Sequence, residues 1–201
     1  MSIPVMWGDR LYSCAPLVEP IPEPSRVIAY SQRDSRWSAA TMGGTRQTIG
    51  RAGCAMVAAA AVLSQRRPDL TPLDVNVTLT ERNGYNIVGG NEAHLAWDRL
   101  PTIYPELQWL GRESWTRPLY AGELDRIRGF IAEAPLVLWV DFYPLTAAFN
   151  THFVLAEEWL DDDILVVDPW NGDRVGLLAR YARPGQTLAR AIWGYRRLVV
   201  R

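Results

Sequence analysis

Residues 136–168 read LVLWVDFYPLTAAFNTHFVLAEEWLDDDILVVD. Three apolar runs stand out: Leu136–Phe142, Thr151–Trp159 and Ile164–Asp168. Each is short, rich in β-branched and aromatic residues, and bounded by turn formers, the pattern of strands. The acidic triplet Asp161-Asp162-Asp163 makes a tight connection between the second and third runs. Together with Ile192–Val200 (IWGYRRLVV), these runs predict an antiparallel sheet in the C-terminal half.

The character upstream is different. Gly53-Cys54 opens the stretch AMVAAAAVLSQ, and alanine is the strongest helix former. A helix is predicted over about Cys54–Gln65, stopped before Pro68. Thr71-Pro72 has the form of an N-cap followed by proline at the first helical position, which predicts a helix over Pro72–Asn83 ended by Gly84. Asn91–Leu100 is read as a helix capped by Asn91. Leu124, Ile127, Phe130 and Ile131 at helical spacing predict another over Ala121–Ala134. Arg26–Tyr30 is read as a short strand and Gln32–Ile49 as a loop. Helices that lead and strands that follow give an α+β fold, with N-terminal helices packed on a C-terminal antiparallel sheet.

The 201 residues are 48% hydrophobic and 21% charged, which suits one globular domain and excludes a disordered chain. Residues 27–201 are assigned to that domain. Residues 1–26, with Pro16, Pro20, Pro22 and Pro24, are read as an irregular, extended arm or linker and as a contact for a protein partner. A net charge of −1 gives no pull toward nucleic acid. The longest apolar run is too short for a membrane span, and the N-terminus lacks the pattern of a secretory signal. These features predict a cytoplasmic protein or one released by another route. All 21 basic residues are arginine.

Only two cysteines and two histidines are present, and their scatter is wrong for a structural zinc site. No cofactor is predicted. The acidic triplet does not fit a calcium loop. Cys54, at the first turn of a helix and after a glycine, stands where free N–H groups favour a thiolate. His152 opens one strand and Asp168 closes the next, so a carboxylate there could orient the imidazole toward a thiol. A hairpin turning at Asp162 sets His152 opposite a residue beyond Asp168, so a bulge or a shifted turn is required. Gln32 offers an amide for an oxyanion. His94, read as helical and without a strand carboxylate nearby, ranks below His152.

The stretch YSQRDSRWSAATMGGTRQTIGRAGCAMVAAAAVL, with Gln32, Asp34, Trp37, Thr48-Ile49-Gly50 and Gly53-Cys54, resembles the bacteriocin-processing-peptidase-like cysteine peptidases. These are stand-alone relatives of the double-glycine leader peptidases in the papain-like superfamily. The block THFVLAEEWLDDDILVVDPWNG is similar to their histidine and aspartate segments through His152, Asp168, Pro169 and Gly172. A long loop between Gln32 and Cys54 departs from the transporter-linked members. The resemblance implies a papain-like fold. It also implies a thiol hydrolase of peptide or amide bonds, with Cys54 as nucleophile, His152 as base and acid, Asp168 as orienter and Gln32 as oxyanion donor. The partner it implies is a peptide or protein substrate. Two other expectations stand beside it: the same site acting on cell-wall (peptidoglycan) peptide stems, as in a bacterial or phage lysin, or a non-catalytic module of a larger assembly.

Overall fold

A computed structural model describes residues 5–7, 10–12 and 27–201. Two three-residue strands, β1 (Val5–Trp7) and β2 (Arg10–Tyr12), pair antiparallel, so the arm is not irregular throughout. The proline run and Cys14 lie outside the described residues. Residues 27–31 form no strand, which corrects the expectation at Arg26–Tyr30. The polar segment that follows is a series of turns with one isolated bridge, Thr41 to Thr48.

The short helix α1 (Ile49–Ala52) leads through Gly53 into α2 (Cys54–Leu63). Residues Met56–Leu63 of α2 are all buried, so this helix has no solvent face, and its alanines let neighbouring chain come close. Gly53 is tight for a local reason: a Cβ there would lie 2.5 Å from the Ile49 carbonyl oxygen. In α3 (Pro72–Glu81), the Thr71 side chain accepts from the Asp74 N–H. The Asp74 carboxylate in turn accepts from the Thr71 N–H at 2.9 Å, completing a capping box.

The helix expected over Asn91–Leu100 is absent. Strands β3 (Tyr85–Val88) and β4 (Glu92–Leu95) form an antiparallel hairpin instead. Gly89 and Gly90 both take positive φ and turn the chain, and the alternating burial of Glu92–Leu95 is that of a strand. A 3₁₀ turn at Trp97–Arg99 and α4 (Leu100–Ile103) follow.

The remaining elements are β5 (Leu107–Ser114), α5 (Ala121–Glu133), β6 (Leu136–Asp141), β7 (Thr151–Trp159), β8 (Ile164–Asp168), β9 (Asp173–Gly176), α6 (Leu177–Tyr181), α7 (Leu188–Ala191) and β10 (Ile192–Val200). Six of these strands make one antiparallel sheet in the order β5-β10-β6-β7-β8-β9. The fold is therefore α+β, but the helices do not simply precede the sheet. One face, through Val137, Leu155, Val167 and Leu198, packs on α2, which packs in turn on α3. The other, through Leu138, Val154, Val166 and Tyr195, packs on α5, α6 and α7. Strand β5, ahead of α5, forms one edge of the sheet.

The β7–β8 hairpin contains the required irregularity. Near the turn Trp159 pairs with Ile164 and Glu158 with Leu165, but beyond it Ala156 pairs with Val166 and Leu155 with Val167. Glu157 is the extra residue, a β-bulge. A one-residue slip reverses the face of every later side chain. Continuing the observed register sets Asp168 across from Val154, on the face of His152 and one same-face step along the strand.

After β8 the chain turns through Asp168-Pro169-Trp170-Asn171-Gly172. The Gly172 N–H donates to the Asp168 carbonyl at 2.8 Å, and φ at Gly172 is +78°. A Cβ there would sit 3.1 Å from the Ala29 carbonyl oxygen and 3.2 Å from the Ser31 nitrogen. Gly172→Ala is expected to lower stability by about 1–3 kcal/mol, because it meets both a strained φ and a close backbone. Urea unfolding measures this; an unchanged midpoint would contradict the account.

Candidate active site

Cys54 is a free thiol at the first residue of α2, and its N–H has no backbone acceptor among the described residues. Burial pushes the thiol pKa up. A hydrogen bond to His152, the charge of that ring, and the N–H groups of Phe153 and Ala55 outweigh it, so the thiol is held below its ordinary 9.0. The sulfur therefore sits where its anion is favoured.

His152, the second residue of β7, is 3% exposed. Its Nε2 lies 2.8 Å from Asp168 Oδ1. With Nε2 committed to the carboxylate, Nδ1 is the nitrogen left for Cys54. The ring is walled by Phe142 at 4.7 Å and Tyr181 at 5.6 Å between centroids. Burial lowers the imidazole pKa, but Asp168 and Cys54 together lift it from 6.5 to about 9. Both neighbours therefore favour the protonated ring, and the ring in turn favours their anions.

Asp168, at the end of β8, is also 3% exposed. Burial raises its carboxyl pKa, and the His152 hydrogen bond and charge, with smaller help from Tyr181 and the Trp170 N–H, bring it below 3.8. The Trp170 N–H donates to Asp168 Oδ1 at 2.9 Å, so the turn that follows the strand fixes the carboxylate. The shape is that of an orienting carboxylate behind an imidazole.

Gln32 is 1% exposed, far from the solvated loop side chain its surroundings in the sequence suggest. Its backbone N–H donates to the Pro169 carbonyl at 2.6 Å, tying it to the Asp168 turn. Its Nε2 donates to the Gly50 carbonyl at 3.1 Å, which sets the direction of the amide. One Nε2–H remains, and Oε1 is buried without a partner among the described residues. Gln32, Cys54 and His152 line one cleft of about 710 Å³. The structure thus brings all four sequence-derived residues together.

His94 is different. It lies on strand β4 rather than a helix, and it does have a carboxylate, with Nε2 3.0 Å from Glu92 Oε2 on the same strand. Both line the cleft from the β3–β4 hairpin, together with Asn86 and Val88. That wall was missed, although Gly89-Gly90 between alternating residues is the sequence signal of a hairpin. Arg112, Trp170 and Arg196 also line the cleft and were not singled out. Among the described residues no three His, Cys, Asp or Glu side chains are grouped to hold a metal. None of their helices is long and apolar enough to cross a membrane.

No family model, curated protein or solved structure matches the chain.

The coupled thiol and imidazole give a pH signature. Alkylation of Cys54 by iodoacetamide is expected to rise through a midpoint below pH 9.0. In His152→Ala burial remains without its counterweight, so the midpoint moves upward. Identical profiles would contradict the pairing. The raised imidazole pKa stabilises the fold fully below pH 6.5, and that contribution is lost as pH rises through about 9. The urea midpoint of the wild type should fall toward that of His152→Ala across this window.

Proposed function

We propose that the chain is a thiol hydrolase of peptide or amide bonds, of the cysteine peptidase type. The observations that support it most directly are the 2.8 Å contact of His152 with Asp168 and the cleft that His152 shares with Cys54, where the ring favours the thiol's anion. A buried imidazole that only packed would not need both. The position of the thiol at the start of α2, against the end of the strand that carries the ring, is what a papain-like hydrolase requires. It agrees with the sequence resemblance to the bacteriocin-processing-peptidase-like enzymes.

In this mechanism the Cys54 thiolate attacks the substrate carbonyl carbon and a C–S bond forms. The carbonyl π pair moves to oxygen, which the Cys54 N–H and the second Nε2–H of Gln32 stabilise. His152, already protonated, gives its proton to the amide nitrogen as the C–N bond breaks, and the amine leaves. The acyl group remains on sulfur. Water then enters, His152 takes its proton, and the hydroxide attacks the thioester carbonyl. The C–S bond breaks, the carboxylic acid departs, and thiolate and imidazolium are restored. Asp168 keeps Nε2–H engaged throughout, so Nδ1 faces the reacting atoms.

Hydrolysis of an internally quenched peptide library tests this. Cys54→Ala and His152→Ala should abolish turnover. Gln32→Ala should lower kcat about 10²–10³-fold with little change in KM, as expected for a group engaged only in the transition state. Turnover that survives Cys54→Ala would overturn the proposal.

A further inference from the structure

The cleft carries positive charge that the proposed reaction does not use. Arg196 on β10 and Arg112 on β5 are direct cross-strand partners, and both line the cleft that holds Cys54. Like charges placed opposite one another destabilise a sheet. Arg196 is also only 9% exposed. Among the described residues its Nη1 donates only to backbone carbonyls, those of Tyr195 at 2.8 Å and Glu113 at 3.4 Å, and its Nε has no acceptor. The rings of Trp139 and Phe153 lie 5.8 and 5.5 Å from the guanidinium and offer partial compensation. Burial, and then the charge of Arg112, hold its pKa down to about 10.

Six arginines of the described residues are paired, and these two are not among them. Arg36, Arg67, Arg117, Arg126, Arg174 and Arg197 each meet a carboxylate. No carboxylate among the described residues meets Arg112 or Arg196 in this way. A buried cation without an anion costs stability, and it becomes an asset when a ligand brings the anion.

We propose that Arg196 and Arg112 form a subsite for a carboxylate of the peptide substrate, so that the cleft selects acidic or C-terminally free peptides. This rests on reading the cleft as that of a peptide hydrolase, since the carboxylate is the anion a peptide carries. The backbones of His152 and Arg196 are two strand spacings apart and three residues displaced along the sheet, roughly 14 Å. An extended peptide covers that span in about four residues.

The test measures binding, not turnover. Full-length Cys54→Ala is titrated calorimetrically with acetyl-tetraalanine amide, with the same peptide ending in a free carboxylate, and with amides carrying glutamate at either inner position. At least one carboxylate peptide should bind ten-fold or more tightly than the neutral amide, and the one that does identifies the source of the anion. Arg196→Gln and Arg112→Gln should each erase the preference. Arg112 is exposed, so its variant keeps the test meaningful if the Arg196 variant does not fold. Equal affinities, no binding of any carboxylate peptide, or a preference that survives in Arg112→Gln would overturn the subsite. A wild type that hydrolyses nothing while the preference holds would defeat the hydrolase proposal and leave the subsite standing. Hydrolysis without the preference would do the reverse.

Discussion

The single extra residue in β7, Glu157, determines whether this molecule has a site at all. With it, His152 and Asp168 share a face and meet at 2.8 Å. A regular hairpin from the same turn would send the carboxylate to the opposite face, into the core formed by α2 and Leu155. The bulge is itself held from outside: both Glu157 carboxylate oxygens accept from Arg174 on β9, whose guanidinium also donates to the Val27 carbonyl. A surface ion pair of this kind contributes little stability. Its value lies in position, because it ties the irregular residue of β7 to the next-but-one strand and to the chain that leads into Gln32.

From that register the rest of the site follows through short connections. Asp168 ends its strand in a turn that donates Trp170 N–H back to the carboxylate and presents the Pro169 carbonyl to Gln32. Gly172 permits this turn to lie against residues 29–31. Gln32 in turn reaches the Gly50 carbonyl in α1, one turn ahead of Cys54. The Gln32 and Asp168 segments are therefore joined by a backbone hydrogen bond, and the Gln32 side chain carries the connection on to the backbone ahead of Cys54. Such a frame can hold a buried imidazolium between two anions, an arrangement that is costly unless every partner is in place.

Much of this was legible in the sequence, for identifiable reasons. The bounds of β7, β8 and β10 match the apolar runs, since strand length and turn residues leave little choice there. The helix of Cys54 was evident from its alanines, and α3 from Thr71 and Pro72. The need for a bulge or a shifted turn could be deduced by counting residues between His152 and Asp168. Strand β4 was taken for the start of a helix over Asn91–Leu100 because Asn91 resembles a cap, whereas the Gly89-Gly90 turn prevailed. The helices α6 and α7 were hidden by brevity, since each has too few residues for a periodic signal. The burial of Gln32 and the pairing of Arg112 with Arg196 depend on contacts between distant segments, and no local pattern reports them.

The proposed chemistry depends on His152 being held protonated between Cys54 and Asp168. Nitrogen NMR of the His152 imidazole in the full-length protein tests it most directly. Protons are expected on both ring nitrogens at neutral pH, with the Nδ1 proton lost on titration near pH 9 and lost at lower pH in Cys54→Ala. A ring that is neutral at pH 7, or that titrates identically with and without the thiol, would contradict it.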